Sequence, residues 1–358
     1  MMRSTQVAGG TDRTVADADG VTFRLSDPHR RLQSVRLAQQ VGVPGEYLDF
    51  AYRARQWQLA LPRPAVDRME YLFEVEDHNE HRETVTDPTN PVRAPGAFGD
   101  KSVLEFPEYD APRWLTLPAA PASGVPIEVV SESLVDTVGG ELWTIGELGE
   151  SEPAPLLVAH DGPEYARLGA LTQYLTASVR ADALPALRIA LLAPGDRNRW
   201  YGADPSYARA LCDQVIPALV APTTVRIGLG VSLGALAVLH AHRLFPGDFD
   251  ALFLQSGSFF TPELDPQEER FSRFEPVTRF VADVAQAITD PHPVPVAMTC
   301  GVVEENLANN RAMAAALDRL GYEVTLDEYR DAHNYVAWRD ALDPTLTRLL
   351  RRVIGHAA

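Results

Sequence analysis

The sequence has little cysteine and no long apolar run. Its two cysteines, Cys212 and Cys300, lie far apart and in no metal-ligand spacing, which indicates neither a disulfide framework nor a zinc site. Residues 1–20 hold no apolar core of a signal peptide, and no segment offers the roughly 18 consecutive apolar residues of a membrane-spanning helix. We therefore expect a cytoplasmic protein in a reducing compartment, without a membrane partner.

Basic residues are also scarce. The 358-residue chain has 32 Lys and Arg against 49 Asp and Glu, which gives a formal net charge of −17. Such a chain repels phosphate backbones and anionic membrane surfaces, so we expect no nucleic-acid partner. Hydrophobic residues make up 46% of the chain, as is typical of a globular protein with a sizeable core.

Composition divides the chain into four segments. Residues 1–20 are small and polar, and we expect them to be disordered. Residues 21–106 hold short runs of alternating polarity between Pro, Gly and Asp turns, which predicts a small all-β sandwich domain. Residues 107–124 contain four prolines and predict an extended linker, and residues 125–358 form the remaining domain.

The pattern of apolar and polar residues changes after the linker. Apolar strands are predicted at 155–159, 187–193, 225–229, 251–254 and 294–299, and helices near 203–219, 233–244, 304–320 and 335–352. Strands that alternate with helices predict an α/β domain with a mostly parallel sheet covered on both faces. In such a sheet the active site lies at the carboxyl ends of the strands.

A G-x-S-x-G motif, residues 230–234, joins one of these strands to the helix predicted at 233–244. This strand–turn–helix setting is the one that a nucleophile elbow requires, because a strained turn lifts the serine hydroxyl above the sheet and leaves no room for larger neighbours. Ser232 is therefore the predicted nucleophile. The alternative is an ordinary glycine-rich turn.

The acid and the base are expected after the serine, in that chain order. His333 directly follows a strand predicted at 323–330 and so emerges at the same edge of the sheet. Both Glu304 and Glu305 follow the strand at 294–299, and either one can orient the imidazole. The topology does not favour the other histidines that follow the serine, which are His240, His242, His292 and His356.

An oxyanion hole needs backbone N–H groups, one from the residue after the nucleophile and one from the loop after an early strand. Leu233 supplies the first. In the early loop, residues 160–165, Pro163 has no N–H to give, so Gly162 or Glu164 must serve as the second donor. Pro163 also keeps open a different class of function, a non-catalytic binding protein that has kept the fold.

Several motifs resemble the ferric enterobactin (enterochelin) esterases of the esterase D superfamily of α/β-hydrolases. They are AHDGPEY at 159–165, DRNRWY at 196–201, GLGVSLG at 228–234, GVVEEN at 301–306, AHNYVAWR at 332–339, DPTNP at 87–91 and KSVLEFP at 101–107. The resemblance covers about residues 21–355. It implies an α/β-hydrolase domain with a mostly parallel central sheet, preceded by an immunoglobulin-like early-set domain.

The resemblance also implies a function. Ser232, His333 and Glu304 would form the triad of a cofactor-free serine esterase without a metal site, and its small-molecule substrate would be a trilactone siderophore. Side chains at the catalytic edge would then meet an anionic catecholate ligand: Arg197, Arg199, Trp200, Ser256, Phe259 and Phe260. The superfamily also contains feruloyl and acetylxylan esterases, so a sugar-ester or other small-ester esterase is the alternative.

Overall fold

The computed structural model of the protein describes residues 13–17, 19–117, 124–219 and 222–357. Its contacts divide the chain into two compact units. The first unit is Met1–Tyr109 with Arg330–Ala332, and the second is Asp110–Tyr329 with His333–Ala358.

Two segments singled out from composition fall partly outside this description. Residues 1–12 and 18 of the expected disordered segment, and residues 118–123 of the expected linker, lie outside the described residues. Val15–Ala16 forms a short strand, so regular structure occurs ahead of residue 21. Within the expected linker, Arg113–Thr116 forms a 3₁₀ turn.

The first unit is a sandwich of two antiparallel sheets. One sheet has the order β1-β2-β5-β4, and the other has the order β3-β6-β9-β8 with β7 also paired to β6. The strands are β1 (Val15–Ala16), β2 (Gly20–Ser26), β3 (Leu32–Gln39), β4 (Ala51–Arg53), β5 (Gln56–Pro62), β6 (Arg68–Asp77), β7 (Arg82–Val85), β8 (Arg93–Ala94) and β9 (Lys101–Glu105). The sheets pack through aromatic rings, with Phe23 of β2 5.0 Å from Tyr71 of β6 and Phe50 5.3 Å from Phe73 between ring centroids.

The second unit contains an eight-stranded sheet. Its strands are β10 (Val125–Ser131), β11 (Asp136–Ile145), β12 (Ala154–Ala159), β13 (Leu187–Leu192), β14 (Thr223–Val231), β15 (Ala251–Gln255), β16 (Pro295–Gly301) and β17 (Glu323–Tyr329). Their order is β10-β11-β13-β12-β14-β15-β16-β17. The pairs β10–β11 and β11–β13 are antiparallel, and every later pair is parallel.

Helices cover both faces of this sheet. They are α1 (Gly162–Leu168), α2 (Leu171–Arg180), α3 (Arg197–Tyr201), α4 (Pro205–Ala210), α5 (Ile216–Ala218), α6 (Leu233–Leu244), α7 (Phe274–Gln286), α8 (Leu307–Arg319), α9 (Tyr335–Asp340) and α10 (Thr345–Ala357). All six residues of β12 are buried, and alternate ones join different cores, Leu156 on one face and Leu157 on the other. This burial on both faces explains why the strands read as continuous apolar runs.

Two predicted helices are interrupted. The helix expected at 203–219 consists of α4, a π-helical turn at Leu211–Val215, and α5. The helix expected at 335–352 is α9 followed by α10, because Pro344 cannot continue a helix. Among the described residues, no helix is both long and apolar enough to cross a membrane.

Candidate active site

The G-x-S-x-G motif forms a sharp turn between β14 and α6. Ser232 has φ 55° and ψ −122°, a strained backbone conformation for a residue with a side chain. A Cβ on Gly230 would come 2.3 Å from the backbone of Gly234, and a Cβ on Gly234 would come 3.2 Å from the Cβ of His160. Gly230 therefore has no space for a side chain and Gly234 has little, as a nucleophile elbow requires.

The loops that follow β14, β16 and β17 bring three predicted residues together. His333 Nε2 lies 3.2 Å from Ser232 Oγ, and His333 Nδ1 lies 2.7 Å from Glu304 Oε2. Glu304 is buried, whereas Glu305 is exposed and lies 3.4 Å from the Gln267 amide. Of the two glutamates left open by the sequence, Glu304 is thus the one beside the imidazole.

The second oxygen of Glu304 is also held. Glu304 Oε1 accepts hydrogen bonds from Gly301 N–H and Ser256 Oγ–H, both at 2.8 Å. Ser256 Oγ in turn accepts from the Trp338 indole N–H at 3.0 Å. Ser256 is 1% exposed and holds the carboxylate that faces His333, while its contact with a substrate stays a prediction.

A further hydroxyl lies next to that of Ser232. Ser258 Oγ is 3.1 Å from Ser232 Oγ, and Ser258 N–H donates to the Ser232 carbonyl oxygen at 3.2 Å. The Asn310 side chain fixes the loop before it by bonding both the N–H and the carbonyl oxygen of Gly257. Sequence reasoning missed Ser258, although the Ser-Gly-Ser run directly after a buried strand was a usable signal.

The two predicted oxyanion donors begin helices. Leu233 is the first residue of α6 and Gly162 the first of α1, so neither N–H has an acceptor within its own helix. Because β12 pairs with β14, the loops that follow these strands are neighbours. Pro163 occupies the second position of α1, where its missing N–H leaves no helical bond unmade, so it does not disturb Gly162.

Three aromatic residues predicted to contact the substrate have their rings in the protein core. Trp200 is 1% exposed and stacks on Tyr207 with ring centroids 5.5 Å apart. Phe259 is fully buried, and Phe260, at 8% exposure, packs between Phe271 and Phe274. These hydrophobic rings are stabilised by removal from water, and none is available to a catechol ring in this arrangement.

The two predicted arginines differ in their surroundings. Arg197 forms a two-bonded ion pair with Asp161, with both N–O distances 2.8 Å. The Arg199 side chain is 48% exposed and its Nε lies 3.5 Å from Asp204 Oδ2. Arg197 therefore has its charge satisfied within the protein, while Arg199 keeps much of its guanidinium in solvent.

The sheet thus carries a serine, a histidine and a carboxylate side by side at its carboxyl edge. This is the arrangement that the Ser-His-acid triad of an α/β-hydrolase requires. Among the residues that the structure describes, no group of three or more His, Cys, Asp or Glu side chains is arranged to hold a metal ion.

Among known proteins, the chain is similar in sequence to two iron(III) enterobactin esterases. The iron(III) enterobactin esterase of Dickeya dadantii (strain 3937) is 29% identical over 213 residues, which are 56% of this chain and 49% of the relative. That of Escherichia coli O6:H1 is 23% identical over 273 residues, 73% of this chain and 66% of the relative. The chain thus spans about half the length of the first relative and about two thirds of the second. No protein-family model matches the chain.

Solved structures agree in fold. The ferric enterobactin esterase of Salmonella typhimurium matches with a TM-score of 0.76 at 19% identity, covering 96% of this chain and 97% of that one. The enterobactin esterase of Shigella flexneri, crystallised in the presence of enterobactin, matches with a TM-score of 0.75 at 20% identity, covering 95% and 96%. The predicted fold class is confirmed, as is the resemblance to enterobactin esterases in sequence and fold.

Proposed function

We propose that the chain is a serine carboxylic-ester hydrolase that opens catecholate trilactone siderophores of the ferric enterobactin kind, without a cofactor. The observation that carries the proposal is the His333 imidazole, which lies within hydrogen-bonding distance of both Ser232 Oγ and the Glu304 carboxylate. Sequence similarity to two iron(III) enterobactin esterases supports the substrate class.

The mechanism follows from these positions. Ser232 Oγ attacks the ester carbonyl carbon while its proton moves to His333 Nε2, and the carbonyl oxygen becomes an oxyanion bonded by the N–H groups of Leu233 and Gly162. His333 then gives the proton to the departing alkoxide, which leaves the acyl group on Ser232. Water repeats the sequence and releases the acid. Glu304 holds the imidazole tautomer and stabilises its charged form.

In this proposal residues 125–358 are the catalytic domain, residues 21–106 an early-set domain, and residues 107–124 the linker between them. The absence of paired cysteines in the sequence favours a cytoplasmic location, where a siderophore would be opened after uptake.

A second candidate is an aryl- or sugar-ester esterase. The observation that favours it is the match to a ferulic acid esterase, with a TM-score of 0.54 and 17% identity over 65% of this chain and 98% of that one. Likeness of fold at this identity does not select between substrates, so the experiment must compare them directly.

Chromatography of reaction mixtures tests the proposal. The protein is incubated with ferric enterobactin, metal-free enterobactin and a neutral aryl acetate, with Ser232→Ala as the control for turnover. We expect 2,3-dihydroxybenzoylserine species from the trilactones, and none with Ser232→Ala. Rapid aryl acetate cleavage with the trilactones left intact would reject the siderophore substrate and favour the second candidate.

A further inference from the structure

Asp161 adopts an unusual backbone conformation directly before a predicted oxyanion donor. It has φ 52° and ψ 34°, the left-handed region that residues with a side chain rarely occupy. Its side chain is 2% exposed. A buried carboxylate on a strained residue costs free energy, so it persists only where surrounding contacts determine it.

Helix α3 supplies those contacts. Arg197 donates from Nε to Asp161 Oδ1 and from Nη2 to Oδ2, each at 2.8 Å. Asp161 N–H donates to the Tyr201 hydroxyl at 3.3 Å. Both the side chain and the main chain of Asp161 are therefore fixed by one five-residue helix, and the two-bonded guanidinium pair determines orientation as well as distance.

The fixed residue lies against the nucleophile elbow. Asp161 Oδ2 is 3.5 Å from the position that a Cβ on Gly234 would take, two residues after the nucleophile. On the other side, a Cβ on Gly162 would come 2.4 Å from the backbone of Leu191. The peptide that joins Asp161 to Gly162, and carries the Gly162 N–H, is thus confined between the elbow and β13.

The ion pair between Asp161 and Arg197 also neutralises the charge of the buried carboxylate. An unpaired carboxylate at this place would oppose the negative charge that develops on the substrate carbonyl oxygen, because Coulomb repulsion is strong in a poorly solvated site. Arg197 neutralises it. Burial by itself lowers the pKa of the Arg197 guanidinium, but the hydrogen bonds and charge of Asp161 outweigh this effect and the pKa is raised, so the arginine stays charged.

We propose that Asp161 and Arg197 are positioning residues for ester hydrolysis, forming an ion-pair clamp that aims the Gly162 N–H at the oxyanion. The inference rests on the proposed function. It differs from the sequence-based prediction that Arg197 contacts an anionic substrate, because the clamp serves every ester, whether charged or neutral.

The test uses a neutral ester, 4-nitrophenyl acetate, and the full chain in four variants: Arg197→Ala, Arg197→Lys, Asp161→Asn and, as a matched control, Arg209→Ala on the exposed face of α4. We expect kcat to fall about 10- to 100-fold in the first three variants, because small displacements of a catalytic group have effects of this size. KM should change by less than about twofold, and the control should keep its kcat.

Binding of a neutral aryl trifluoromethyl ketone gives a second measurement. The ketone adds to the serine and places a negatively charged oxygen in the oxyanion hole, so its inhibition constant should rise by the same factor as kcat falls. Arg197→Lys retains a positive charge without the two-bonded geometry and should not restore activity. It also provides the test if Arg197→Ala fails to fold, as judged by circular dichroism.

The outcomes separate the clamp from the function on which it rests. Unchanged kcat and ketone affinity in folded Arg197→Lys and Asp161→Asn would overturn the clamp, and so would a raised KM for 4-nitrophenyl acetate with kcat unchanged. If wild-type protein neither hydrolyses esters nor reacts with a fluorophosphonate at Ser232, the proposed function itself fails.

Discussion

Two groups of side chains lie at the carboxyl edge of the same sheet, and they differ in what they bond to and pack against. After β14 to β17, the side chains bond to one another in a series that runs from Trp338 through Ser256, Glu304 and His333 to Ser232. After β12 and β13, the arginine and tryptophan predicted for substrate binding are bonded or packed into the protein itself. In the first group, Ser232 was predicted from a motif and His333 and Glu304 from chain order and strand ends. The second group was predicted from charge and aromaticity alone.

The difference has a physical reason. A nucleophile, its base and its acid must be linked in one geometry, and chain order together with strand ends leaves few candidates. A charge or an aromatic ring has many suitable partners within the protein. With 49 acidic residues against 32 basic ones, an arginine readily finds a carboxylate of its own chain, as Arg197 does with Asp161.

Removal of the nucleophile should have the largest effect on the first group. In Ser232→Ala we expect ester turnover to fall about 10⁴-fold or more, because triad members act as a unit, with the free energy of unfolding within about 1 kcal/mol of wild type. Steady-state kinetics and chemical denaturation measure the two quantities. Ser151→Ala, on an exposed loop, is the matched control. A Ser232→Ala variant that is folded and active would show that Ser232 is not the nucleophile.

The two glutamates allow a sharper comparison within the same group. Glu304→Gln keeps the size of the side chain but removes the charge beside His333 Nδ1, so we expect activity to fall about 10²- to 10⁴-fold. Glu305→Gln should stay within about twofold of wild type, since its side chain is exposed. Equal losses in both variants would assign the effect to the helix terminus they share. Two silent variants would mean that a Ser-His pair suffices.

Ser256 and Trp338 should have a smaller effect, because they act through Glu304. Ser256→Ala removes a hydrogen bond to a buried carboxylate, worth about 1.5–3 kcal/mol, and we expect activity to fall about 10- to 100-fold. Trp338→Phe removes only the indole donor to Ser256 and should cost less. The decisive measurement is the split between kcat and KM, because a residue that acts through the base lowers kcat and leaves KM unchanged. A folded Ser256→Ala variant with an unchanged kcat would make the bond merely structural.

Much of the fold was predictable because burial on both faces leaves a clear pattern. The strands at 187–193 and 251–254 and the helix at 233–244 are close to β13, β15 and α6. The β10–β11 hairpin was not predicted, since it lies at the edge of the sheet and several of its side chains are exposed. Edge strands lack the continuous apolar run that marks a central one.

The candidate site was likewise predictable only in part. Chain order and strand ends sufficed to propose Ser232 and His333, whose Oγ and Nε2 atoms lie 3.2 Å apart. The choice between Glu304 and Glu305 depended on which carboxylate turns inward, and the sequence of adjacent residues in one turn does not indicate this. The burial of Trp200 and Phe259 depended on tertiary packing. An aromatic residue that follows a strand can face the cleft or the core, and the local sequence is the same in both cases.

The smallest effect is expected at Arg199, which tests whether the second group keeps any role in binding. Its guanidinium is half exposed and only loosely paired with Asp204, so it can attract an anionic ferric catecholate across solvent. Attraction between exposed charges is worth about 1 kcal/mol at most. We therefore expect Arg199→Ala to raise the KM for the ferric complex about two- to fivefold and to leave the KM for a neutral aryl ester unchanged.

The salt dependence of this effect tests its electrostatic origin. Because the Debye length shrinks from about 30 Å at 0.01 M salt to about 3 Å at 1 M, the difference in KM between variant and wild type should vanish at high salt. Kinetics with both esters at the two salt concentrations measure this. An equal loss with the neutral ester, or one that salt does not reduce, would mean that Arg199 supports the structure of the site rather than attracting the ligand.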